Sequence, residues 1–517
     1  MNEQPLTSLE AGTIARPLHE HARRSGACPT GSTHQPVVAS GSAVPAPGDA
    51  VILLAHSYFM RHDAKQQARC TPYSPLSTLI VAAMLRKQGH AVAMFDATFA
   101  EGVQDFEAML DRYPGALVAI MEDNFNFLTK MCTERRRNAA LAMITAARRR
   151  GNRVVVNGPD SSDRPQLYLQ AGADAVLLGE GDVPLLEIAA VLASNSHVSF
   201  NDIAGIVLSG SDGGMRYTHA HPSQRNLQRL PLPAWELVDV ERYRKAWTSR
   251  HARFSWNMVT SRGCPYACNW CAKPIFGRGY EQRSATEVAE ELRALKDCVN
   301  PDHVWFADDI FGLTARWLQE FAQEVTRLDA QTPFMMQSRV NLMKPEAVVA
   351  LAEAGAEEVW LGVESGSQKI LDAMEKGTNI AEARAATRLL KAAGIRACWF
   401  IQLGYPGETW DDIALTRKLI VDEQPHYIGV SVAYPLPGTR FYELVKTGLG
   451  ERRNWKDSDD LAMLFEGTYG TPFYRLVRDH LHEEVRHGRR DDYRWARLGQ
   501  EELTHRSPNP ILLATGS

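Results

Sequence analysis

Three cysteines carry the chemistry that is easiest to read. The run Ser261-Arg262-Gly263-Cys264-Pro265-Tyr266-Ala267-Cys268-Asn269-Trp270-Cys271 spaces its thiols as C-x3-C-x2-C. Three thiolates on one short loop can converge on one iron–sulfur cluster. A cuboidal cluster needs one ligand per iron, so three cysteines leave one iron open. An open iron can chelate a small molecule. Gly263 and Pro265 help the backbone turn tightly around such a group. The bland alternative is a structural zinc site. Zinc wants four closed ligands, and no fourth Cys or His follows at knuckle spacing. The other five cysteines, Cys28, Cys70, Cys132, Cys298 and Cys398, are scattered. Of these, Cys298 and Cys398 read as small buried hydrophobes.

Such a loop has to be held by the elements around it. A series of strand-type segments begins at Phe254: residues 254–261, 303–309, 334–340, 358–365, 397–405 and 427–435. Helical segments such as Thr286–Leu295 and Thr314–Leu328 lie between them. Six β/α repeats are too few for a closed eight-fold barrel, so a partial barrel is predicted, with the cysteine loop directly after its first strand. Upstream, apolar runs at 50–56, 91–98, 115–123, 153–160 and 175–182 alternate with helical spacing at 76–88, 134–150, 167–172 and 183–193. Continuous apolar strands alternating with helices argue a doubly wound parallel sheet covered on both faces. The fold class predicted is therefore α/β. A Rossmann-like N-terminal domain over 49–196 is followed by a hairpin and linker over 197–250. A (β/α)6 partial barrel over 251–446 and a helical, highly charged segment over 447–517 complete it. Residues 1–48 lack apolar periodicity and read as a disordered leader.

Composition narrows the function classes. The chain has 517 residues, 44% hydrophobic and 23% charged, with a formal net charge of −4. That balance excludes wholesale disorder and argues against a strongly basic nucleic-acid binder. The segment 471–517 holds eight Arg, seven Asp or Glu and no Lys, a solvated mixed-charge surface and not a polybasic RNA-binding tail. The N-terminus has early acidic residues and no apolar core of signal-peptide type. No stretch approaches 18 uninterrupted apolar residues, so no membrane span is expected. The expected location is cytoplasmic, where thiols stay reduced.

The C-x3-C-x2-C spacing, the aromatic Trp270 before the last Cys, and the position after strand one of a β/α barrel together resemble the radical S-adenosylmethionine (SAM) superfamily. The resemblance implies that Cys264, Cys268 and Cys271 hold a [4Fe–4S] cluster whose fourth iron binds the amino and carboxylate groups of SAM. One-electron reduction would then cleave SAM to methionine and a deoxyadenosyl radical. The reductant would be an external one-electron donor such as flavodoxin or ferredoxin. The other strand ends should complete the SAM site, since barrel chemistry sits at the C-terminal ends of strands. Asp308 and Asp309 occupy the place of the motif that contacts the SAM amino group, although the usual Gly-Gly-Glu is absent. A helix N-terminal acidic pair is the alternative. Gln337 and Arg339 end the third strand, where Arg could fork a carboxylate or make a salt bridge to the barrel rim. Glu364 matches the ribose-binding position. Gln402 and Gly404 match the fifth-strand region near the adenine. Glu408 either belongs with them or caps the following helix.

A doubly wound domain directly before such a barrel resembles the cobalamin-binding branch of the superfamily. Ligand is expected at the carboxyl edge of the sheet. Gly158 and Pro159 after the fourth strand, and Gly179, Glu180 and Gly181 after the fifth, would let backbone approach the nucleotide tail. Tyr58, Pro75 and Asn124 are candidates to line the corrin. The D-x-H-x-x-G motif whose His coordinates cobalt in other corrinoid proteins is absent, and His56 and His62 read as loop histidines. The resemblance therefore implies a cobalt face without a His ligand, or a domain that has lost the cofactor. The stretch YPLPGTRFYE (434–443) adds a likeness to the group containing the anaerobic magnesium-protoporphyrin monomethyl ester cyclase and several B12-dependent methyltransferases. The resemblance covers roughly residues 50 to 446.

The reading that results is an enzyme with a small-molecule substrate and no nucleic-acid partner. Its preferred reaction is radical methylation of an unactivated carbon, with cobalamin as the methyl carrier. The runner-up is radical oxidation or cyclisation without methyl transfer. A methylthiotransferase acting on RNA would need a basic C-terminal module, which the charge count argues against. A non-enzymatic iron–sulfur or corrinoid binding protein is the fourth reading.

Overall fold

The structure is a computed structural model that describes residues 51–193, 200–221, 227–271, 279–508 and 510–511. The leader expected over 1–48, with Cys28, lies outside the described residues.

The first sheet takes β1 (Val51–Ala55), β2 (Ala91–Phe95), β3 (Leu117–Met121), β4 (Arg153–Asn157), β5 (Ala175–Leu177), β6 (Ile206–Ser209) and β7 (Met215–Tyr217). Their order is β2-β1-β3-β4-β5-β6-β7. β1 to β5 are parallel; β6 and β7 add an antiparallel hairpin at one edge. The strands are apolar on both faces because helices cover both. Val51, Leu53 and Ala55 of β1 pack with Phe106, Leu110, Met143 and Ile144 on one side. Ile52 and Leu54 face the other side, with Leu79, Leu85, Leu185 and Ile188. Strand order reverses between β1 and β3, and the crevice outside the carboxyl ends of such a pair is where open α/β sheets take ligands.

The second sheet takes β8 (Ser255–Met258), β11 (His303–Phe306), β12 (Phe334–Ser338), β13 (Ala356–Glu364), β14 (Arg396–Leu403) and β15 (Tyr427–Val432). All six are parallel, in the order β15-β14-β13-β12-β11-β8. They form the partial barrel. A short antiparallel pair, β9 (Ser261–Gly263) with β10 (Tyr280–Gln282), stands beside the mouth. Sequence patterning did not expect it, because three-residue strands carry no readable period.

The core runs across both sheets. Tyr243, Ala246 and Trp247 are fully buried on helix Val240–Arg250 and pack with Phe254 and Trp256 of the barrel. The stretch read as a linker thus contains a wedge between the sheets. Residues 73–80 plug the barrel interior. Ser74 Oγ donates to Asn257 Oδ1 at 2.7 Å, while Leu76 and Ile80 pack against Val259, Trp305 and Ala307.

Two other expectations need correction. Residues 449–470 form no helix; helices occupy Thr471–His487 and Asp492–Glu501. The irregular stretch instead caps helix Glu134–Arg149, whose Glu134 and Arg135 amides donate to the Trp455 and Lys456 carbonyls at 2.9 and 3.2 Å. Exposed amides at a helix start need such acceptors. Cys398 is buried, but Cys298 is exposed. The buried stripe of its helix runs through Val288, Leu292 and Leu295 to Val299 and leaves Cys298 outside it.

Candidate active site

The cysteine loop leaves β8 through a turn held by Asp308. Its Oδ1 accepts from the Thr260 amide at 3.0 Å, from Thr260 Oγ1 at 2.9 Å and from Ser261 Oγ. Burial pushes the Asp308 carboxyl up to about 6, against the hydrogen bonds that lower it. Asp308 therefore already has a structural task. Gly263 follows at φ 78°, a left-handed conformation that glycine adopts without a Cβ clash.

Cys264 is buried, and Cys268 and Cys271 are half-buried. The loop is tied down on its outer side. Asn269 donates its amide to Met374 O at 3.1 Å and its Nδ2 to Ala373 O at 2.8 Å, and its Oδ1 accepts from Tyr405 OH at 3.0 Å. Trp270 packs against Ile370, Met374, Tyr405 and Phe441. Among the described residues, no three His, Cys, Asp or Glu side chains group around a single metal ion. A cuboidal cluster takes its thiolates at separate corners, so its ligands are spread more widely than those of one ion.

Cations surround this loop, which suits thiolate ligands. Arg339 Nη1 lies 3.3 Å from Cys268 Sγ, with its guanidinium carbon 3.8 Å from the centre of the Tyr266 ring. Lys376 Nζ is 5.7 Å from the Trp270 ring centre and 2.7 Å from Glu364 Oε1. Lys130, from the end of β3's loop, pairs with Asp309. Burial lowers the Lys130 pKa, but Asp309 and the nearby Cys271 outweigh it, and the net direction is up.

The remaining strand-end residues fall around the same mouth. Glu364 ends β13 at φ 66°, a strained conformation for a non-glycine residue that costs about 1–3 kcal/mol. Its Lys376 partner fits because Gly362 has no side chain: a Cβ there would lie 2.6 Å from Lys376 Nζ and 2.7 Å from Glu364 Oε1. Gln337 is half-buried at the end of β12. Trp270 Nε1, Ser338 Oγ and Gln402 Oε1 are buried polar atoms with no hydrogen-bond partner. Buried polar groups are seldom left so; Trp270 Nε1 and Gln402 Oε1 are of the kind a polar ligand such as SAM would partner, whereas Ser338 shares its face of β12 with the core residues Phe334 and Met336. Gly404 sits at φ 75° against Met463, whose Sδ would lie 2.9 Å from a Cβ there. Glu408 does not cap the next helix; Thr409 and Asp412 form that capping box. It is fully buried, accepts from the Gly404 amide at 2.6 Å, and has its pKa pushed by burial up to about 8.

At the carboxyl edge of the first sheet, Asn124 donates to Asn157 Oδ1 at 2.9 Å, while its own Oδ1 is buried and unpartnered. Asp123 Oδ2 and Thr129 Oγ1 are likewise unpartnered. Gly158 passes Glu122 so closely that a Cβ would meet its Cγ at 2.8 Å, and Pro159 starts helix Pro159–Asp163. Gly179 and Gly181 are left-handed, and a Cβ on Gly181 would strike Asn157. Pro75 is buried at the seam with the barrel. Tyr58 lies under the Arg136 guanidinium, 5.5 Å from carbon to ring centre.

Two adjoining shallow clefts share Ser57, Thr133 and Arg136. Tyr58 and His62 line the first, and Gly158 and Pro159 the second. The small-residue loops and unpartnered polar atoms at this edge are of the kind that would meet a nucleotide-tailed ligand such as cobalamin. His56 is not free to serve it, because its Nε2 lies 2.9 Å from Asp96 Oδ1.

Glu180 points out of this sheet. Its Oε2 and Asp182 Oδ2 both accept from Arg262 Nη1, at 2.6 and 2.8 Å. Sequence reasoning missed Arg262, Lys130, Lys376 and Tyr266. Arg262 and Tyr266 could have been suspected from their place in the cysteine run. Nothing local marks the two lysines.

A half-barrel with a three-cysteine loop at its mouth defines a class. Residues 258–420, the stretch that holds the cysteine loop and most of the half-barrel, match the model of the Radical SAM superfamily. Among curated proteins it is 27% identical over 309 residues to the uncharacterized methyltransferase PH0819 of Pyrococcus horikoshii, covering 59% of this chain and 65% of that one. It is also 27% identical over 283 residues to the anaerobic magnesium-protoporphyrin IX monomethyl ester cyclase of Rubrivivax gelatinosus, covering 54% of this chain and 50% of that one. The chain thus matches between half and two thirds of these relatives' length. Among solved structures, the radical SAM methyltransferase TsrM of Kitasatospora setae, with cobalamin and a [4Fe-4S] cluster bound, superposes with a TM-score of 0.63. Identity is 20%, over 77% of this chain and 75% of that one. Among the described residues no helix is long and apolar enough to cross a membrane.

Proposed function

We propose that this chain is a cobalamin-dependent radical SAM enzyme that methylates an unactivated carbon of a small-molecule substrate. The observation that carries the reading is the Arg262 clasp. It ties the cysteine loop to the carboxyl edge of the first sheet, so a ligand on that edge and a cluster on that loop border one space. In this reading residues 49–196 bind cobalamin and 251–446 form the radical SAM barrel.

Cys264, Cys268 and Cys271 would hold a [4Fe–4S] cluster, which would supply the one electron that splits SAM, drawn from an external donor such as flavodoxin or ferredoxin. The loops at the first sheet's edge, with Gly158, Pro159, Gly179 and Gly181, would hold cobalamin, which would supply the methyl group. The chain's own residues orient and seal. Asp309 receives the SAM ammonium in exchange for Lys130, an ammonium for an ammonium. Glu364 accepts from the ribose hydroxyls. Trp270 Nε1 and Gln402 Oε1 gain the partners they lack. Residues 73–80 fill the barrel interior below and exclude water from the radical's path.

The test is anaerobic reconstitution with iron, sulfide and cobalamin, followed by analysis of the SAM products. Methylation yields both deoxyadenosine and S-adenosylhomocysteine. Deoxyadenosine alone would favour the second reading, radical oxidation or cyclisation, which the likeness to the Rubrivivax cyclase supports. Failure to cleave SAM under a strong reductant would sink both.

A further inference from the structure

We propose that Arg339 sets the reduction potential of the cluster by donating a hydrogen bond from its guanidinium to the Cys268 thiolate. This rests on the reading that Cys264, Cys268 and Cys271 are the cluster ligands.

Arg339 lies one residue beyond β12 and is 6% exposed. Each of its three nitrogens is engaged. Nε donates to Asn341 Oδ1 at 3.2 Å, Nη2 donates to the Lys376 carbonyl, and Nη1 donates to Cys268 Sγ at 3.3 Å. The Tyr266 ring stacks on its face. The planar fork is therefore held from three sides and from above, with one edge fixed on a sulfur.

Charge balance singles this residue out. In the SAM-free chain the other cations described above at the loop are neutralised, Lys130 by Asp309, Lys376 by Glu364, and Arg262 by Glu180 and Asp182. Among the described residues no carboxylate lies within ion-pair distance of Arg339. A buried cation is costly without an anion, and the anion that its geometry selects is the thiolate.

Hydrogen bonds to ligand sulfurs and nearby charge are levers on iron–sulfur potentials. Reduction adds negative charge, and a fixed cation on one sulfur favours the reduced state. Arginine does not lose its proton in proteins, so the effect holds across the working pH range. A cluster that must be reduced before SAM is split gains from that shift.

The experiment uses the full chain, reconstituted anaerobically with iron and sulfide and without SAM. A dye-mediated potentiometric titration is followed by electron paramagnetic resonance of the reduced cluster. Arg339→Met should keep its iron and be about tenfold harder to reduce, a shift of about 59 mV to more negative potential for one electron. Arg339→Lys, which retains a charge and a donor, should fall between it and the parent. SAM affinity, measured separately by equilibrium binding, should stay at the parent level. If Arg339→Met loses its cluster, Tyr266→Leu replaces it. That variant frees the guanidinium without removing it and should shift the potential in the same direction by less. An unchanged potential together with weakened SAM binding would make Arg339 a carboxylate fork and overturn the proposal. A parent chain that takes up no iron–sulfur cluster would overturn the ligand assignment itself.

Discussion

Arg262 Nη1 stands 2.6 Å from Glu180 Oε2, across the seam between the two sheets. The arginine lies two residues before the first cysteine of the loop. The glutamate lies between two left-handed glycines at the end of β5. Asp182 accepts from the same nitrogen, and Arg262 is almost fully buried. Burial disfavours the guanidinium's charge, but the two carboxylates more than offset that. Whatever moves the β5 loop must therefore move the cysteine loop.

Removing one partner of a buried ionic group strands the others. Arg262→Met is expected to destabilise the chain by about 3–5 kcal/mol, because Glu180 and Asp182 lose their counter-charge. The triple change with Glu180→Gln and Asp182→Asn should recover much of that loss. Calorimetric melting of the single and combined variants checks this; equal losses in all of them would show that the clasp carries no coupling.

Cys268→Ala should abolish stable cluster uptake and SAM cleavage while leaving the melting temperature of the cluster-free chain within a few degrees of the parent. Iron and sulfide analysis with the paramagnetic signal of the reduced protein reads the result. A variant with full cluster content and activity would end the ligand assignment.

Gly362→Ala places a methyl where Lys376 Nζ and Glu364 Oε1 now lie. The pair must separate, and the Glu364 carboxylate must swing. We expect SAM binding to weaken by about tenfold, ~1.4 kcal/mol, with cluster content unchanged. Equilibrium binding of SAM to reconstituted protein measures it.

Glu408 gives a pH signature. Its pKa is about 8 in the folded chain against an ordinary 4.5, so folding favours the protonated acid. Below 4.5 the folded and unfolded states are both protonated. Between 4.5 and 8 only the folded state keeps the proton, and stability falls as pH rises, by up to about 1.4 kcal/mol per pH unit, levelling off above 8. Glu408→Gln should match the parent near pH 5 and become progressively more stable than it toward pH 8. A difference in melting temperature that does not change with pH would contradict the assignment.

Much of this was legible along the chain. The cysteine loop could be read because its ligands lie within eight residues, and local spacing alone brings them to one turn. The strands could be read because both faces of each are covered, which leaves uninterrupted apolar runs such as Val51–Ala55. The helix expected over Thr286–Leu295 runs from Ala285 to Cys298, starting where Ser284 and Glu287 form a local capping box. Less was legible where structure rests on distant partners. The β9–β10 pair joins segments too short to show a period. Residues 449–470 hold their shape by serving the start of a helix more than 300 positions earlier in the chain.

The sequence by itself determined the class of chemistry: three thiols on one turn, set after the first strand of a β/α series, in a chain with apolar runs enough for two covered sheets. Only the tertiary structure decided which charges meet. Lys130 reaches Asp309, Arg262 reaches Glu180, and Arg339 reaches Cys268 across 179, 82 and 71 positions. Such pairings depend on how the carboxyl ends of separate strands are brought together by packing of their hydrophobic faces. A charged side chain carries no periodic mark of the partner it will find there.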